Sequence, residues 1–167
     1  MRRYIRRYAK GGKYFFTVVT HHRRSVLCSE NAIGCLRDAF RKARVKFPFK
    51  MDAIVVLPDH LHCIWQLPSG DNDFSIRWRL IKHHFTYQYA NGPSWQPRFW
   101  EHWIRDEEDW GSHMDYIHYN PVKHNYVKNA IHWPYSSFRH CVAQGLYSAD
   151  WGSHITPPKS QVELDFE

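Results

Sequence analysis

Three short apolar runs, rich in β-branched and aromatic residues, have the composition of β-strands, and a fourth segment alternates as a strand does, with Phe99 and Trp103 on the face opposite Trp100 and Ile104. They are residues 14–20, 53–57, 61–67 and 98–105. The first run has the character of a central strand. Pro58-Asp59 separates the second run from the third and favours a tight turn, which predicts a hairpin. Side chains alternate between faces after that turn, so His60 and His62 lie together on the face opposite the apolar residues.

Apolar residues recur at spacings of three and four in two further segments, which is the pattern of amphipathic helices. The first helix follows Ser29, which can act as its N-cap, and it ends before Pro48. The second helix is predicted over about residues 76–90, with Ser75 as its N-cap. The helix stop signal Asn91-Gly92-Pro93 follows it directly.

A third helix is predicted to begin at Glu107, with Asp106 as its N-cap. Tyr116 and Asn120 are four residues apart on it and therefore share a face. Pro121 disfavours the α conformation of the preceding residue, so we expect the helix to end at Asn120. The order of the elements predicts an α+β fold, a ferredoxin-like βαββαβ sandwich with a central antiparallel sheet, followed by this C-terminal helix.

The composition is that of one basic, aromatic-rich globular domain of 167 residues, 43% of them hydrophobic. A net charge of +7 and 17% aromatic residues suit single-stranded nucleic acid, and a generically basic protein is the alternative. The four cysteines lack zinc-ligand spacing and indicate free thiols in a reducing compartment. Because no apolar run approaches membrane-spanning length, we expect a cytoplasmic protein that does not bind a membrane.

The N-terminus forms a basic arm without acidic residues. Its cations are the candidate DNA-binding residues Arg2, Arg3, Arg6, Arg7, Lys10 and Lys13. Basic arms of this kind usually bind phosphates, and a solvated tail is the alternative.

His60 and His62 are candidate metal ligands, because two imidazoles on one face of a rigid strand supply half of a metal site. The motif alone is weak, since a His-x-His pair is common by chance in a histidine-rich chain. The alternative is a pair of polar residues on the solvated face of a half-buried strand.

Five stretches, in this order, resemble the REP-associated tyrosine transposases, a branch of the single-tyrosine transposases of the HUH (His-hydrophobic-His) superfamily. They are residues 12–20 (GKYFFTVVT), 57–62 (LPDHLH), 99–109 (FWEHWIRDEED), 116–124 (YIHYNPVKH) and 133–138 (WPYSSF). The similarity covers roughly residues 11–140. One departure is Asn125, where glycine is common in that family, and asparagine tolerates the left-handed conformation of such a turn.

The resemblance implies a metal-dependent transposase that nicks and rejoins single-stranded DNA at REP-like hairpins through a 5′-phosphotyrosine. Tyr116 falls on the nucleophile of that family, His60 and His62 on its paired metal ligands, and Asn120 where a third ligand is expected. The cation would be Mg²⁺ or Mn²⁺, of which Mn²⁺ accepts nitrogen ligands more readily. On the residues alone, the third ligand could instead be a nearby histidine, and the candidates are His102, His113 and His118.

The expected partner is single-stranded hairpin DNA, bound by a monomer, with a dimer as the alternative. Two other functions stay open: a hairpin-binding module that no longer cuts, and a nickase that starts plasmid replication or conjugation. The chain then divides into a basic arm (residues 1–13), a catalytic domain (14–140) and a C-terminal tail (141–167). The acidic end of the tail, residues 161–167, suggests a segment that competes with DNA, and a disordered tail is the alternative.

Overall fold

The computed structural model describes residue 6 and residues 8–89 and 93–153. Its strands are β1 (Lys13–Val19), β2 (Lys50–Val56), β3 (His60–Gln66) and β4 (Trp100–Trp103). Its α-helices are α1 (Glu30–Lys46), α2 (Phe74–Tyr89), α3 (Glu107–Lys123) and α4 (Phe138–Ala143). Short 3₁₀ helices cover His21–Arg23 and Ala130–His132. The order from β1 to β4 confirms the predicted βαββαβ arrangement.

The four strands form one antiparallel sheet in the order β2-β3-β1-β4. β1 lies between β3 and β4, as its composition predicts. The β1–β3 register pairs Thr17 with His62 and Val19 with His60. Residues paired across an antiparallel ladder project to the same face, so this register brings Thr17 beside the predicted metal ligands.

Different helices cover the two faces of the sheet. α1 and α2 pack against each other and against one face, over apolar residues that include Phe16, Cys63 and Trp65. α3 covers the other face, where Met114 and Ile117 enter a second core. The alternation predicted for β3 is therefore confirmed: its apolar side chains enter the first core, and its histidines face α3.

The start of α2 differs from the prediction. The helix begins at Phe74, and Oδ1 of Asp73 accepts a hydrogen bond from the Ile76 N–H at 2.9 Å. Ser75, the predicted N-cap, lies inside the helix instead. Aspartate and serine are both good N-caps, so the sequence alone does not decide between two caps that lie two residues apart.

The prediction that α3 ends at Asn120 is wrong, because the helix continues through Pro121 to Lys123. A proline removes only one helical N–H, and the last turn still closes through the His124 N–H, which donates to the Asn120 carbonyl at 3.0 Å. Asn125 follows with a φ of 59°, the left-handed conformation expected at this turn.

The chain after α3 packs back on the domain through aromatic rings. Tyr147 and Trp151 lie 5.3 and 5.7 Å from the Phe138 ring, between ring centroids. The domain division at residue 140 stays a prediction, and the acidic segment 161–167 lies outside the described residues. All four cysteines are free thiols, as predicted. No helix in the described part of the chain is long and apolar enough to cross a membrane.

Candidate metal and nucleophile site

His60 and His62 lie on the face of β3 that α3 covers. Both side chains are buried, with 6% of His60 and 0% of His62 exposed. Their ring centroids are 4.9 Å apart. The alternative of a solvated pair is therefore wrong. Burying two imidazoles costs free energy unless their nitrogens bind something, so the contacts of each ring decide what this site can do.

Hydrogen bonds through Nδ1 orient both rings. The Nδ1 of His62 lies 2.7 Å from Thr17 Oγ1, and the Nδ1 of His60 lies 2.7 Å from Asp59 Oδ1. Burial would raise the pKa of the Asp59 carboxyl, but the hydrogen bond and charge of His60, with the Arg23 guanidinium, hold this pKa below its usual value. Because a partner on Nδ1 sets the tautomer and the ring orientation, Nε2 is the nitrogen that each ring would use to bind a metal ion.

Tyr116 lies in the middle of α3 and is 7% exposed. Its ring centroid is 5.2 Å from that of His62 and 5.9 Å from that of Phe15. The ammonium of Lys123, seven residues further along the same helix, is 5.1 Å from the Tyr116 ring centroid. The predicted nucleophile therefore lies beside a predicted metal ligand, with a cation in reach of a phosphate that approaches the ring.

Asn120 lies one turn after Tyr116 and one turn before His124, and this spacing brings the three side chains to one face of α3. Tyr116 contacts His62, and the His124 ring is 5.8 Å from the His60 ring. The Asn120 side chain is completely buried, yet neither its Oδ1 nor its Nδ2 has a hydrogen-bond partner among the described residues. An unsatisfied buried amide is costly, so Asn120 fits the role of ligand to a divalent cation.

The three histidines considered as alternative third ligands have other partners. His118 projects from another side of α3, where its Nε2 is 2.8 Å from Ser137 Oγ and burial lowers its pKa to about 4. His102 and His113 stack with their ring centroids 4.5 Å apart. The Asp109 carboxylate lies 2.9 Å from His102 Nε2 and 3.2 Å from His113 Nδ1.

The cluster of His102, Asp109 and His113 also has the spacing of metal ligands, with ligand atoms within 4.8 Å of one another. One nitrogen of each ring already has an acceptor inside the protein, because the His113 Nδ1 lies 2.8 Å from the Asp109 carbonyl oxygen and the His102 Nε2 lies 2.9 Å from the Asp109 carboxylate. We therefore regard this cluster as a hydrogen-bonded connection between β4 and α3.

The predicted DNA-binding cations are described only in part. Those in the described part of the chain are Arg6, Lys10 and Lys13, and those outside it are Arg2, Arg3 and Arg7. The Arg6 guanidinium is 3.2 Å from the Glu101 carboxylate on β4, and the Lys13 ammonium is 3.4 Å from the Asp52 carboxylate. Lys10 is exposed. The two ion pairs attach the base of the arm to the sheet.

Sequence reasoning missed three residues of this site: Thr17, Asp59 and Lys123. Asp59 was assigned only to the turn, although an acid beside a histidine is a usual partner of a metal-binding imidazole. Lys123 lies two turns after Tyr116 on the same helix. Because the helix was predicted to end at Asn120, the sequence did not indicate that Lys123 lies on the same face as Tyr116. Thr17 has no local signal, because only the pairing of β1 with β3 brings it to His62.

No protein-family model matches the chain. A REP-associated tyrosine transposase of Escherichia coli (strain K12) is 51% identical over 156 residues, 93% of this chain and 94% of that protein. A relative from Haemophilus influenzae is 41% identical over 168 residues, 92% of this chain and 95% of that protein. A solved REP-associated tyrosine transposase bound to a REP hairpin is 47% identical, with a TM-score of 0.86 over 98% of this chain and 99% of that one. The resemblance seen in the sequence is thereby confirmed, and the chain belongs to the REP-associated tyrosine transposases, a family of enzymes.

Proposed function

We propose that this chain nicks and rejoins single-stranded DNA at hairpin sequences, with Tyr116 as the nucleophile. The observation that carries the proposal is the position of the Tyr116 ring, 5.2 Å from the His62 ring, which in turn lies 4.9 Å from the ring of the buried His60. The solved relative with a TM-score of 0.86 is bound to a REP hairpin, which supports the same class of substrate here.

In the proposed reaction, the phenol oxygen of Tyr116 attacks the phosphorus of a phosphodiester. The new bond joins that oxygen to phosphorus, the bond from phosphorus to the 3′ oxygen breaks, and the phenol proton ends on the departing oxygen. The products are a 5′-phosphotyrosine and a free 3′-hydroxyl. A phenol, with a pKa of about 10, leaves more readily than an alkyl alcohol, so the 3′-hydroxyl of another strand can reverse the step.

His60, His62 and Asn120 are proposed to hold a divalent cation, Mg²⁺ or Mn²⁺. When bound, this cation would supply Lewis-acid polarisation of the phosphodiester. The hydrogen bonds of His62 Nδ1 with Thr17 and of His60 Nδ1 with the Asp59 carboxylate support the proposal, because they orient both imidazoles before any ligand arrives.

The arm cations Arg2, Arg3, Arg6, Arg7, Lys10 and Lys13 are proposed to bind the DNA backbone. We propose a monomer that acts in the cytoplasm. The DNA substrate and the four free cysteines agree with that compartment.

A covalent adduct tests the proposal. Labelled single strands with REP-type hairpins, incubated with the protein and Mn²⁺, should yield a protein–DNA adduct. Tyr116→Phe keeps the ring and removes the nucleophile, so it should abolish the adduct and leave hairpin affinity nearly unchanged. Tyr119→Phe, on the same helix and half-buried, is the matched control and should form the adduct.

Two outcomes would change the assignment. Adduct formation by Tyr116→Phe would exclude this tyrosine as the nucleophile. Hairpin binding by the wild-type protein without any adduct would favour the binding module.

A further inference from the structure

A cavity of about 630 Å³ opens at the sheet edge, where β1 ends and the segment before β4 begins. Three arginines line it, Arg6, Arg23 and Arg98, together with Trp100. None of the described residues that line it is acidic. Guanidinium groups bind phosphate oxygens, and an aromatic ring provides a platform for an unpaired base. This combination suits a nucleotide better than an inorganic anion.

The cavity is adjacent to the candidate metal site through two shared residues. Thr17 lines the cavity, and its hydroxyl is the partner of His62 Nδ1. The Asp59 carboxylate binds His60 Nδ1 through Oδ1 and the Arg23 guanidinium through Oδ2, at 2.7 and 3.2 Å. The Asp59 carboxylate therefore connects the Arg23 guanidinium, which could hold a phosphate, with the His60 imidazole.

The backbone that carries Arg23 is strained. His22 and Arg23 have φ values of 53° and 50°, in the left-handed region that non-glycine residues rarely adopt. Local bonds hold this conformation, since Thr20 Oγ1 donates to the Arg24 carbonyl at 2.8 Å and the Arg24 guanidinium donates to the Pro93 carbonyl at 2.6 Å. Strain of this kind persists where the surrounding structure enforces it, and it is concentrated at ligand sites.

Trp100 faces the same side of the sheet as the metal site. It pairs with Thr17 across the β1–β4 ladder, and paired residues share a face. Its neighbours in the sequence, Phe99 and Glu101, project to the other face, where Arg6 lies over the Phe99 ring at 4.3 Å and pairs with Glu101. Arg6 thus forms one wall of the cavity, and Trp100 forms the wall on the side of the sheet that α3 covers.

We infer that this cavity binds one unpaired nucleotide of the single-stranded DNA, next to the phosphodiester that Tyr116 attacks. The base lies against Trp100, and its phosphate lies between Arg23 and Arg98. The inference rests on the proposed function, because that function supplies the single strand and the position of the scissile bond.

Deoxynucleoside 3′,5′-bisphosphates test this inference by calorimetry, with chelator present so that no cation contributes. Thymidine and deoxyadenosine bisphosphates should bind at least about fivefold more tightly than the base-free deoxyribose bisphosphate, because stacking of one base contributes about 1–3 kcal/mol. Trp100→Leu should remove that difference. Arg23→Gln should weaken the binding of the nucleotides and of the base-free analogue by similar factors.

Trp103→Leu is the matched control, because Trp103 lies on the same strand and packs into the core on the other face. Circular dichroism checks that each variant is folded. Equal affinity for the nucleotides and the base-free analogue, or unchanged nucleotide binding by Trp100→Leu, would overturn the inference. Nucleotide binding does not depend on cleavage, so a negative result here with a normal covalent adduct would refute the cavity alone. Nucleotide binding without an adduct would instead refute the proposed function.

Discussion

Helices cover both faces of the sheet, but the two faces differ in what they bury. The face under α1 and α2 buries mainly apolar side chains around Phe16 and Trp65, and its buried charged residues, Arg77 and Glu101, form ion pairs with Asp71 and Arg6. The face under α3 buries polar groups as well, including Thr17, His62 and Asn120. Neighbouring residues of one strand enter both environments, because side chains alternate. Burial alone therefore does not distinguish the face that carries the candidate site. The polar groups buried on that face distinguish it.

The face under α3 combines two kinds of polar group. Some have internal acceptors, as in the cluster of His102, Asp109 and His113. Asn120 has none among the described residues. The difference distinguishes polar groups whose hydrogen bonds are made within the fold from a buried amide that keeps the capacity to bind a ligand. Substitution of neighbouring residues that enter opposite faces should therefore separate effects on activity from effects on stability.

The largest effect should come from His62→Ala. It should reduce cleavage by at least about a thousandfold, or about 4 kcal/mol in the barrier, and removal of the cation with chelator should do the same to the wild type. Cys63→Ala, the next residue on the strand, enters the other core and should cost roughly 1 kcal/mol of stability with normal cleavage. Comparable losses of cleavage in both variants would contradict the division between the faces.

Trp65→Ala should have the largest effect on stability. The indole stacks between Trp78 and Phe49, at centroid distances of 4.4 and 4.2 Å, and is fully buried. Its truncation should lower the free energy of unfolding by about 3–5 kcal/mol, measured by urea denaturation. The folded fraction should still form the Tyr116 adduct at low temperature. A loss below about 1 kcal/mol would mean that this core repacks around the gap.

Acid should destabilise the protein through His118. Burial lowers its folded pKa to about 4, whereas an unfolded histidine has a pKa of about 6.5. The unfolded state therefore binds more protons between these pH values, so the free energy of unfolding should fall by up to about 3 kcal/mol as the pH drops from 6.5 to 4.

His118→Gln should flatten this part of the pH profile, measured by urea denaturation at pH 7 and pH 4.5. The wild type and the variant are compared as differences between the two pH values, which cancels the cost of the substitution itself. Parallel profiles would show that other groups cause the acid sensitivity.

Thr17→Val should weaken the binding of Mn²⁺ by about tenfold, because His62 loses the partner that orients its ring. The measurement is calorimetric titration of the DNA-free protein. Thr86→Val, a half-buried threonine on α2, is the control and should bind Mn²⁺ like the wild type. Equal affinities in all three proteins would mean that the strand alone orients the ring.

Removal of positive charge from the arm should have the smallest effect. It should make DNA binding less dependent on salt concentration. The arm variant replaces Arg2, Arg3, Arg7 and Lys10 with glutamine. Each lost phosphate contact should reduce the slope of log affinity against log salt by about 0.7 for single strands. The control variant replaces four exposed cations of α1, which are Arg37, Arg41, Lys42 and Arg44. Equal slopes for the two variants would leave the arm with no specific role.

The sequence predicted what depends on local pattern and missed what depends on contacts between distant segments. The turn at Pro58-Asp59 and the alternation after it correctly predicted that His60 and His62 share a face. The spacing of Tyr116 and Asn120 likewise predicted their common face on α3. Local rules could not predict that the helix continues past Pro121, because tertiary packing outweighs one lost hydrogen bond.

Other parts of the site depend on the assembled sheet. The contact of Thr17 with His62 joins residues 45 positions apart and exists only in one register of β1 against β3. The cavity at the sheet edge needs the end of β1, the start of β4 and the strained turn at Arg23 together. Neither spacing nor composition carries that information.

The Asp59 carboxylate has a consequence for how this protein can vary. Its two oxygens serve different neighbours, His60 on one side and Arg23 on the other. In genetic terms the position is pleiotropic, because one substitution changes both a candidate metal ligand and the wall of the cavity. Relatives that bind a different nucleotide would therefore be expected to diverge at Trp100 or Arg98 and to retain the acid at position 59.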